Sequence, residues 1–466
     1  MEYQVDFLPA GLRIRAYTTH KDENIVPIMF GAHLDTSDDA PNKGVEVLVH
    51  ENYQGQDLRL QNEVLVSPRL KGFEKLDTYR GETIFTSNGT TLLGGDDKAG
   101  IAAIMTFLEY IQVNKEAHGE VDVFFTYDEE TGLDGACLLN PETDTKAKYG
   151  FVFDNEDGQL GVDSFNAAGA YIDIQREQIS ERTGQVVKVK LNGHPTFPGH
   201  GKEKGMIDSY RNLPAVIEVL NEANATVTNI SGGVGSIELE VLVHSAESLT
   251  TLAQITDSRF EISADHKGRK PVEFEVTSNE GTASYGYNLG KVVSLVSAIP
   301  YEMSAEQTDD RQGYVQPYNF TVAENGTITL MTLLRDFETD GLNAKKGLVT
   351  AAVPDIRIKD QYMNKAEVLK ESPQLVDAVK EAMSTAGIKN VELAAVRGGD
   401  ESGVYTLSVQ TMIGKPEPGR RIPSVNIGIM GGGAHTVQEY QPLSAMVKAV
   451  YTALEINKMA VWKDLV

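Results

Sequence analysis

The chain of 466 residues has one cysteine, Cys137. A single thiol cannot close an intrachain disulfide, so nothing in the fold calls for an oxidising compartment, and a reducing cytoplasm is the simplest expected home. Basic residues are also scarce: 42 Lys and Arg face 67 Asp and Glu, a net charge of −25. That deficit leaves no electrostatic basis for gripping nucleic acid or an anionic membrane, and makes metal cations and amine-bearing ligands the easier partners. Long apolar runs are missing too. The stretch Ile101–Val113 falls short of the roughly 20 residues that span a bilayer, and MEYQVDFLPAGL has neither the basic start nor the apolar centre of a leader. Secretion and membrane insertion are disfavoured. Low-complexity linkers and tandem repeats are absent, and the length suits two or three domains with sizeable cores.

Apolar runs of strand length recur, and each is followed by acids or histidine. IVPIMFGA ends at HLD, with LRIRAYTT before it reading as an edge strand. VDVFFTY ends at Asp128, Glu129 and Glu130, YGFVF ends at Asp154, and SVNIGIM ends at glycines before His435. Helical patterns lie between, one beginning at Gly100 (GIAAIMTFLEYIQV) and one at Ser372 (SPQLVDAVKEAMSTAG). Such alternation predicts an α/β sheet covered on both faces, whose ligands gather at the carboxyl ends of its strands. From about Ala170 to Asn364 the pattern changes to alternating strands such as QVVKVKLNG, SIELEVLVH and GTITLMTLLRD, an α+β insertion. The expected division is therefore a catalytic part over 1–169 and 365–466, with an inserted domain over 170–364.

His33 and Asp35, Asp96 and Asp97, Glu129 and Glu130, Asp154 and His435 supply the donors of a two-metal site. A pair of zinc ions needs one bridging carboxylate and about two further nitrogen or oxygen ligands each. In HLD, residues two apart on a strand share a face, so Asp35 can hold the far imidazole nitrogen of His33. Of the neighbours Glu129 and Glu130, one can bind metal while the other stays free as general base. The glycines of LLGGDDKAG do not make a phosphate cradle, since the GK[ST] continuation is absent and adjacent carboxylates repel phosphate.

The segments HLDTSDDAP, ENYQGQDLRL, TLLGGDDKAGIA, TYDEETG, SFNAA, LLRDFE and VRGG resemble the peptidase T family of tripeptide aminopeptidases, within the wider family of zinc aminoacylases, desuccinylases and dipeptidases. The resemblance implies a three-layer α/β catalytic domain with an inserted α+β lid, and two zinc ions per chain. His33, Asp96 and Asp154 would hold one ion and Asp96, Glu130 and His435 the other, with Asp96 bridging. Glu129 would be the general base and Asp35 the partner of His33. Asp rather than Glu at position 154 is typical of the aminopeptidase branch. Arg335 and Arg397 stand where the family's carboxylate-binding arginines stand, and the lid histidine that polarises the scissile carbonyl would be His194 or His200, the spacing to Lys204 and Gly205 favouring His200.

The sequence departs from that pattern at three places. Only 32 residues precede His33, so the helix and strand that open this fold are expected to be missing. The lid stretches NLGKVVSLVSAIPYEMSAE and QPYNFTV look more like the aminoacyl-histidine dipeptidases, and RGGDESG replaces the RGGTDG type. A homodimer through the lid is the family's commonest arrangement, although enlarged lids can serve a monomer. The expected activity is that of a cytosolic dizinc aminopeptidase acting on short peptides with a free N-terminus. Its rivals are an Xaa-His-type dipeptidase or N-acyl amino acid deacylase on the same metals, and an inactive peptide-binding homologue, against which an intact Glu129 argues.

Overall fold

The computed structural model describes residues 2–17, 21–193, 207–253, 259–263, 270–308, 311–407 and 419–462. They divide into two compact units, Met1–Ser164 with Tyr362–Val466, and Phe165–Gln361.

The first unit is built on eight strands: β1 (Glu2–Leu8), β2 (Gly11–Tyr17), β3 (Ile28–His33), β4 (Val121–Thr126), β5 (Tyr149–Glu156), β6 (Gln159–Ser164), β7 (Glu392–Val396) and β8 (Ser424–Met430). Their spatial order is β1-β2-β4-β3-β5-β8-β6-β7. The central strands β4, β3, β5 and β8 run parallel, and they are apolar without a break because both their faces are covered. Alternation divides the side chains between two cores. Phe30, Val123, Phe125, Phe151 and Phe153 pack beneath α1 (Gly95–Val113), α3 (Pro373–Thr385) and α5 (Leu443–Trp462), while the one-turn α2 (Glu129–Gly132) follows β4. Met29, Phe124 and Val152 point the other way, toward Val404 and Tyr405 of α4 (Glu401–Leu407). The result is the expected three layers. Phe30 is the hub of the first core, its ring centroid 5.0 Å from that of Phe107 on α1 and 5.6 Å from that of Phe151; truncating so buried a ring to alanine typically costs about 3–5 kcal/mol.

Four local expectations are corrected. LRIRAYTT is not the edge strand: β1 takes that place, pairing antiparallel with β2, which in turn pairs with β4. An opening strand is thus present, while among the described residues no helix precedes β3. α1 starts at Gly95, not Gly100, although Asp96 and Asp97 within its first turn have non-helical backbones. β5 runs past Asp154 to Glu156, because β8 continues to pair with it there, Gly428 with Asn155 and Met430 with Glu156.

The second unit is an eight-stranded sheet of its own, in the order 272–287, 176–192, 236–243, 226–233, 314–322, 328–336, 166–174 and 357–362. Helices Leu213–Glu222, Gly290–Ala298 and Thr339–Ala352 bury their apolar faces against it. Its limits differ by a few residues from the expected 170–364. The strand Asn166–Ile174 pairs along its whole length with Ile328–Asp336, which draws residues 166–169 into this sheet. Asn364 bonds instead to the other unit, accepting the N–H of Ser164 (3.1 Å) and donating to Asp163 Oδ1 (2.6 Å). Among the described residues no helix is long and apolar enough to cross a membrane.

Candidate metal centre

The carboxyl ends of the parallel strands bring the expected side chains together. His33 is the last residue of β3 and is buried; its Nε2 lies 2.9 Å from Asp96 Oδ1 and 3.7 Å from Asp154 Oδ1. His435, held at φ 64° in the loop beyond β8, places its Nε2 3.3 Å from Asp96 Oδ2 and 2.9 Å from Glu130 Oε2. Asp96 thus turns one oxygen to each imidazole, as a carboxylate shared by two cations must. Within the same cluster, donor atoms of His33, Asp96 and Glu130, and of His33, Glu129 and Asp154, each lie within 4.8 Å of one another. These triads cut across the expected division.

Local backbone geometry aims these groups. Glu439 precedes the short strand Tyr440–Pro442, which pairs with Ile84–Ser87. Its carboxylate accepts the N–H groups of Leu93 (2.8 Å), Gly94 (2.8 Å) and Asp96 (3.0 Å), pinning the GGDD turn. Asp97 accepts the N–H of His33 (3.3 Å) and of Gly100 (3.1 Å), tying β3 to α1. Only glycine fits at position 100, since a Cβ there would strike the Asp97 carboxylate and the Phe153 carbonyl oxygen. Asp35 Oδ1 lies 3.4 Å from His33 Nδ1, and its two oxygens also accept the N–H groups of Glu129 and Glu130, each at 3.2 Å. The backbone carbonyl of Asp35 is closer still to His33 Nδ1, at 3.1 Å, so this residue orients the imidazole with its main chain and the turn that carries the two glutamates with its carboxylate. Asp39 stands in the same relation to the other histidine, its Oδ2 3.4 Å from His435 Nδ1.

Asp39, Glu439 and the separate duty of Asp97 were not apparent in the sequence. Asp39 had a signal, since TSDDAP follows HLD and a second imidazole needs a second partner. Glu439 had none: it is one acid in a polar loop, and only the folded chain carries it back to residues 93–96.

Seven carboxyl groups, from Asp35, Asp39, Asp96, Asp97, Glu129, Glu130 and Asp154, crowd two imidazoles, and the charges respond. Burial works against the His33 imidazolium, yet Asp154, Asp35 and Asp96 outweigh it and hold the pKa well above the usual histidine range. For His435 burial is likewise overcome, by Asp39, Asp96 and Glu130, and the pKa rises to about 12. Burial and the charges of Asp96 and Glu130 push Asp154 up to about 7. Burial, with the Asp154 charge behind it, raises Asp97 and Glu129 well above the carboxylate range. A buried cluster this acidic needs positive charge. The donor set fits divalent cations that accept imidazole nitrogen and carboxylate oxygen, zinc among them. A further sign of fit is Glu130 Oε1, buried and without a hydrogen-bond donor among the described residues.

Residues 94–458, which contain most of these side chains, match the sequence profile of peptidase family M20/M25/M40. The chain belongs to that family. It is 26% identical to Peptidase T of Bacillus pumilus over 454 residues, covering 95% of this chain and 83% of that protein. Identity to Peptidase T of Caldanaerobacter subterraneus is also 26%, over 459 residues, 95% of this chain and 84% of the relative. In structure the chain resembles aminoacylhistidine dipeptidase from Vibrio alginolyticus with a TM-score of 0.52 at 17% identity, over 98% of this chain and 89% of that one, a likeness of fold.

Of the remaining expected site residues of this M20 peptidase, the structure describes the two arginines. Arg397 is half-buried and directly follows β7 in the first unit. Arg335 belongs to the second unit, where its buried Nη1 donates to the carbonyls of Ala168 (3.2 Å) and Leu334 (3.0 Å). His194 and His200 lie outside the described residues. Asp400, in the unusual RGGDESG, turns inward to Lys365, with Oδ2 2.6 Å from Nζ, rather than toward a peptide carboxylate.

Proposed function

We propose that this M20 peptidase is a cytosolic aminopeptidase that removes the first residue from short peptides, tripeptides among them, with two zinc ions. The observation that carries the reading is Asp96, with one oxygen toward His33 and the other toward His435, beside a glutamate that the division of ligands leaves free. His33, Asp96 and Asp154 would hold one ion and Asp96, Glu130 and His435 the other. Such ions supply Lewis acidity toward the scissile carbonyl and make water more acidic. Glu129 accepts the proton of the attacking water and passes it to the leaving amine, a task suited to a carboxyl group whose pKa burial has already raised. Asp35 fixes the turn from which Glu129 projects. The surplus of acids receives the substrate ammonium near the scissile bond. Arg397 or Arg335 would suit its terminal carboxylate. The Peptidase T relatives support the choice of an aminopeptidase, and the single cysteine supports the compartment.

The test is a screen of di- and tripeptides, free, N-acetylated and C-terminally amidated, with the zinc-loaded protein and with the chelated one. Chelation should abolish hydrolysis. A free tripeptide should be cut faster than its acetylated form, and amidation should raise KM or lower kcat. Faster cleavage of dipeptides would move the reading to a dipeptidase. Preference for acetylated substrates would replace it with a deacylase, and no hydrolysis of any of them with both ions bound would leave a peptide-binding protein.

A further inference from the structure

The loop after β7 carries buried polar groups that none of the steps above employs. Lys365 is wholly buried and holds both neighbours of Glu401: its Nζ is 2.6 Å from Asp400 Oδ2 and 2.5 Å from Ser402 Oγ. Ser402 Oγ in turn donates to Asp400 Oδ1 (2.5 Å), which also accepts the N–H of Gly403 (2.9 Å). Between these two fixed residues, Glu401 lies against the sheet face that Phe124 and Val152 share with α4. There it is 1% exposed and accepts a hydrogen bond from the Thr126 hydroxyl. Its Oε2 lies under Gly31, 3.8 Å from where a Cβ at that position would stand, two residues before His33.

Thr126 is the last residue of β4, and its carbonyl accepts the N–H of Leu34 (2.7 Å). Beyond it the chain passes through Tyr127 and Asp128, the latter at φ 54°, and reaches Glu129. The far end of this short turn is held by Asp35. We infer that Glu401 is a positioning residue for Glu129, holding the near end of the same turn through the Thr126 hydroxyl. An apolar side chain would fill the place without the cost of desolvating a carboxyl group, so packing alone does not account for an acid here. The closeness is visible in the charges as well, since Glu401 is among the groups that raise Glu129, after burial, Asp154 and Glu130.

The inference rests on Glu129 being the base. Its test is the set T126V, T126S, E401L and the double variant E401L/T126V, each measured for kcat, KM, metals per chain and thermal midpoint, with E129Q as reference. T126V and E401L should each lower kcat about 10–100-fold, the usual cost of losing a partner outside the first layer of contacts. KM and metal content should stay at the parent's values, and T126S, which keeps the hydroxyl, should restore kcat. The double variant should be no slower than the slower single one, because both act through one hydrogen bond. Losses that multiply would show that Glu401 does not act through the Thr126 hydroxyl and overturn the inference, and a lowered midpoint with kcat intact would make Glu401 a folding element only. If E401L does not fold, the contrast between T126V and T126S decides alone. An inactive E129Q beside a fully active T126V defeats only the role given to Glu401, whereas a fully active E129Q defeats the base assignment itself.

Discussion

Replacing Asp35 with asparagine separates two functions that one carboxylate now performs. The side chain accepts two N–H groups at 3.2 Å, from Glu129 and Glu130, and faces His33 Nδ1 at 3.4 Å. An amide offers one oxygen in place of two and turns an NH₂ toward whatever the other oxygen served. One charge-assisted hydrogen bond is therefore lost, worth about 1.5–3 kcal/mol where water does not replace it. The Asp35 side chain is 21% exposed, so the lower end of that range is expected. The imidazole keeps the backbone carbonyl of residue 35, 3.1 Å from Nδ1, but loses the neighbouring anion that strengthens it as a ligand, so metal binding should weaken by about tenfold, the lower end of the usual 10–100-fold loss. That weakening should affect one cation and not both, because His435 has its own partner in Asp39. Thermal unfolding in excess chelator reads the first effect, and zinc titration against a chromophoric competitor reads the second. The reasoning fails if Asp35→Asn binds both ions with the parent's affinity, or if both weaken equally.

Three further outcomes follow from the same geometry. Glu129→Gln should keep both metals and lose about 10²–10⁴-fold in kcat; near-parent turnover in metal-replete protein would move the base elsewhere, Glu130 being the first alternative. Asp96→Asn should lower the content of both metals together, since it withdraws one charge that two cations share, and retention of two ions per chain by elemental analysis would rule out a bridge. In chelated protein, His435 and Asp154 both have folded pKa values above their unfolded ones. Their stabilising contribution is thus complete at low pH and is lost as pH rises, for Asp154 from about 4 through its folded value of about 7, and for His435 from about 6.5 toward about 12. Metal binding must displace those protons, so zinc affinity should climb over the interval in which chelated protein loses thermal stability. A chelated protein that grew more stable between pH 5 and pH 9 would contradict the protonation states assigned to the centre.

What could be read from the sequence was whatever local pattern determines. The ends of β3, β4 and β8 were legible because apolar runs that are buried on both faces must stop before charged groups, and in a parallel sheet those stops lie together. The two helix-forming runs were legible from their period. The start of α1 was not: in GGDDKAG the glycines and acids read as loop, while the fold uses Gly95 and the irregular Asp96 and Asp97 as a first turn, held by Glu439 from the far end of the sequence. Asp400 illustrates the same limit. Its partner Lys365 lies 35 residues away, and nothing in KAEVLKESPQ marks a lysine bound for the interior. Contacts of this kind belong to tertiary structure, and one sequence does not encode them in any periodic way.

The places where the chain leaves and re-enters the first unit carry a consequence for engineering and descent. Ser164, the last residue before the excursion, and Asn364, just after it, are joined by a hydrogen bond. In the metal-bearing unit, residues 165–361 therefore begin and end at neighbouring points, like a graft on a single node. A substitute of almost any length can be spliced there without re-threading a strand, since closing a loop becomes only slowly harder as the loop grows. The unit that carries the donor cluster can thus keep its own sheet and core while residues 165–361 are exchanged for another module.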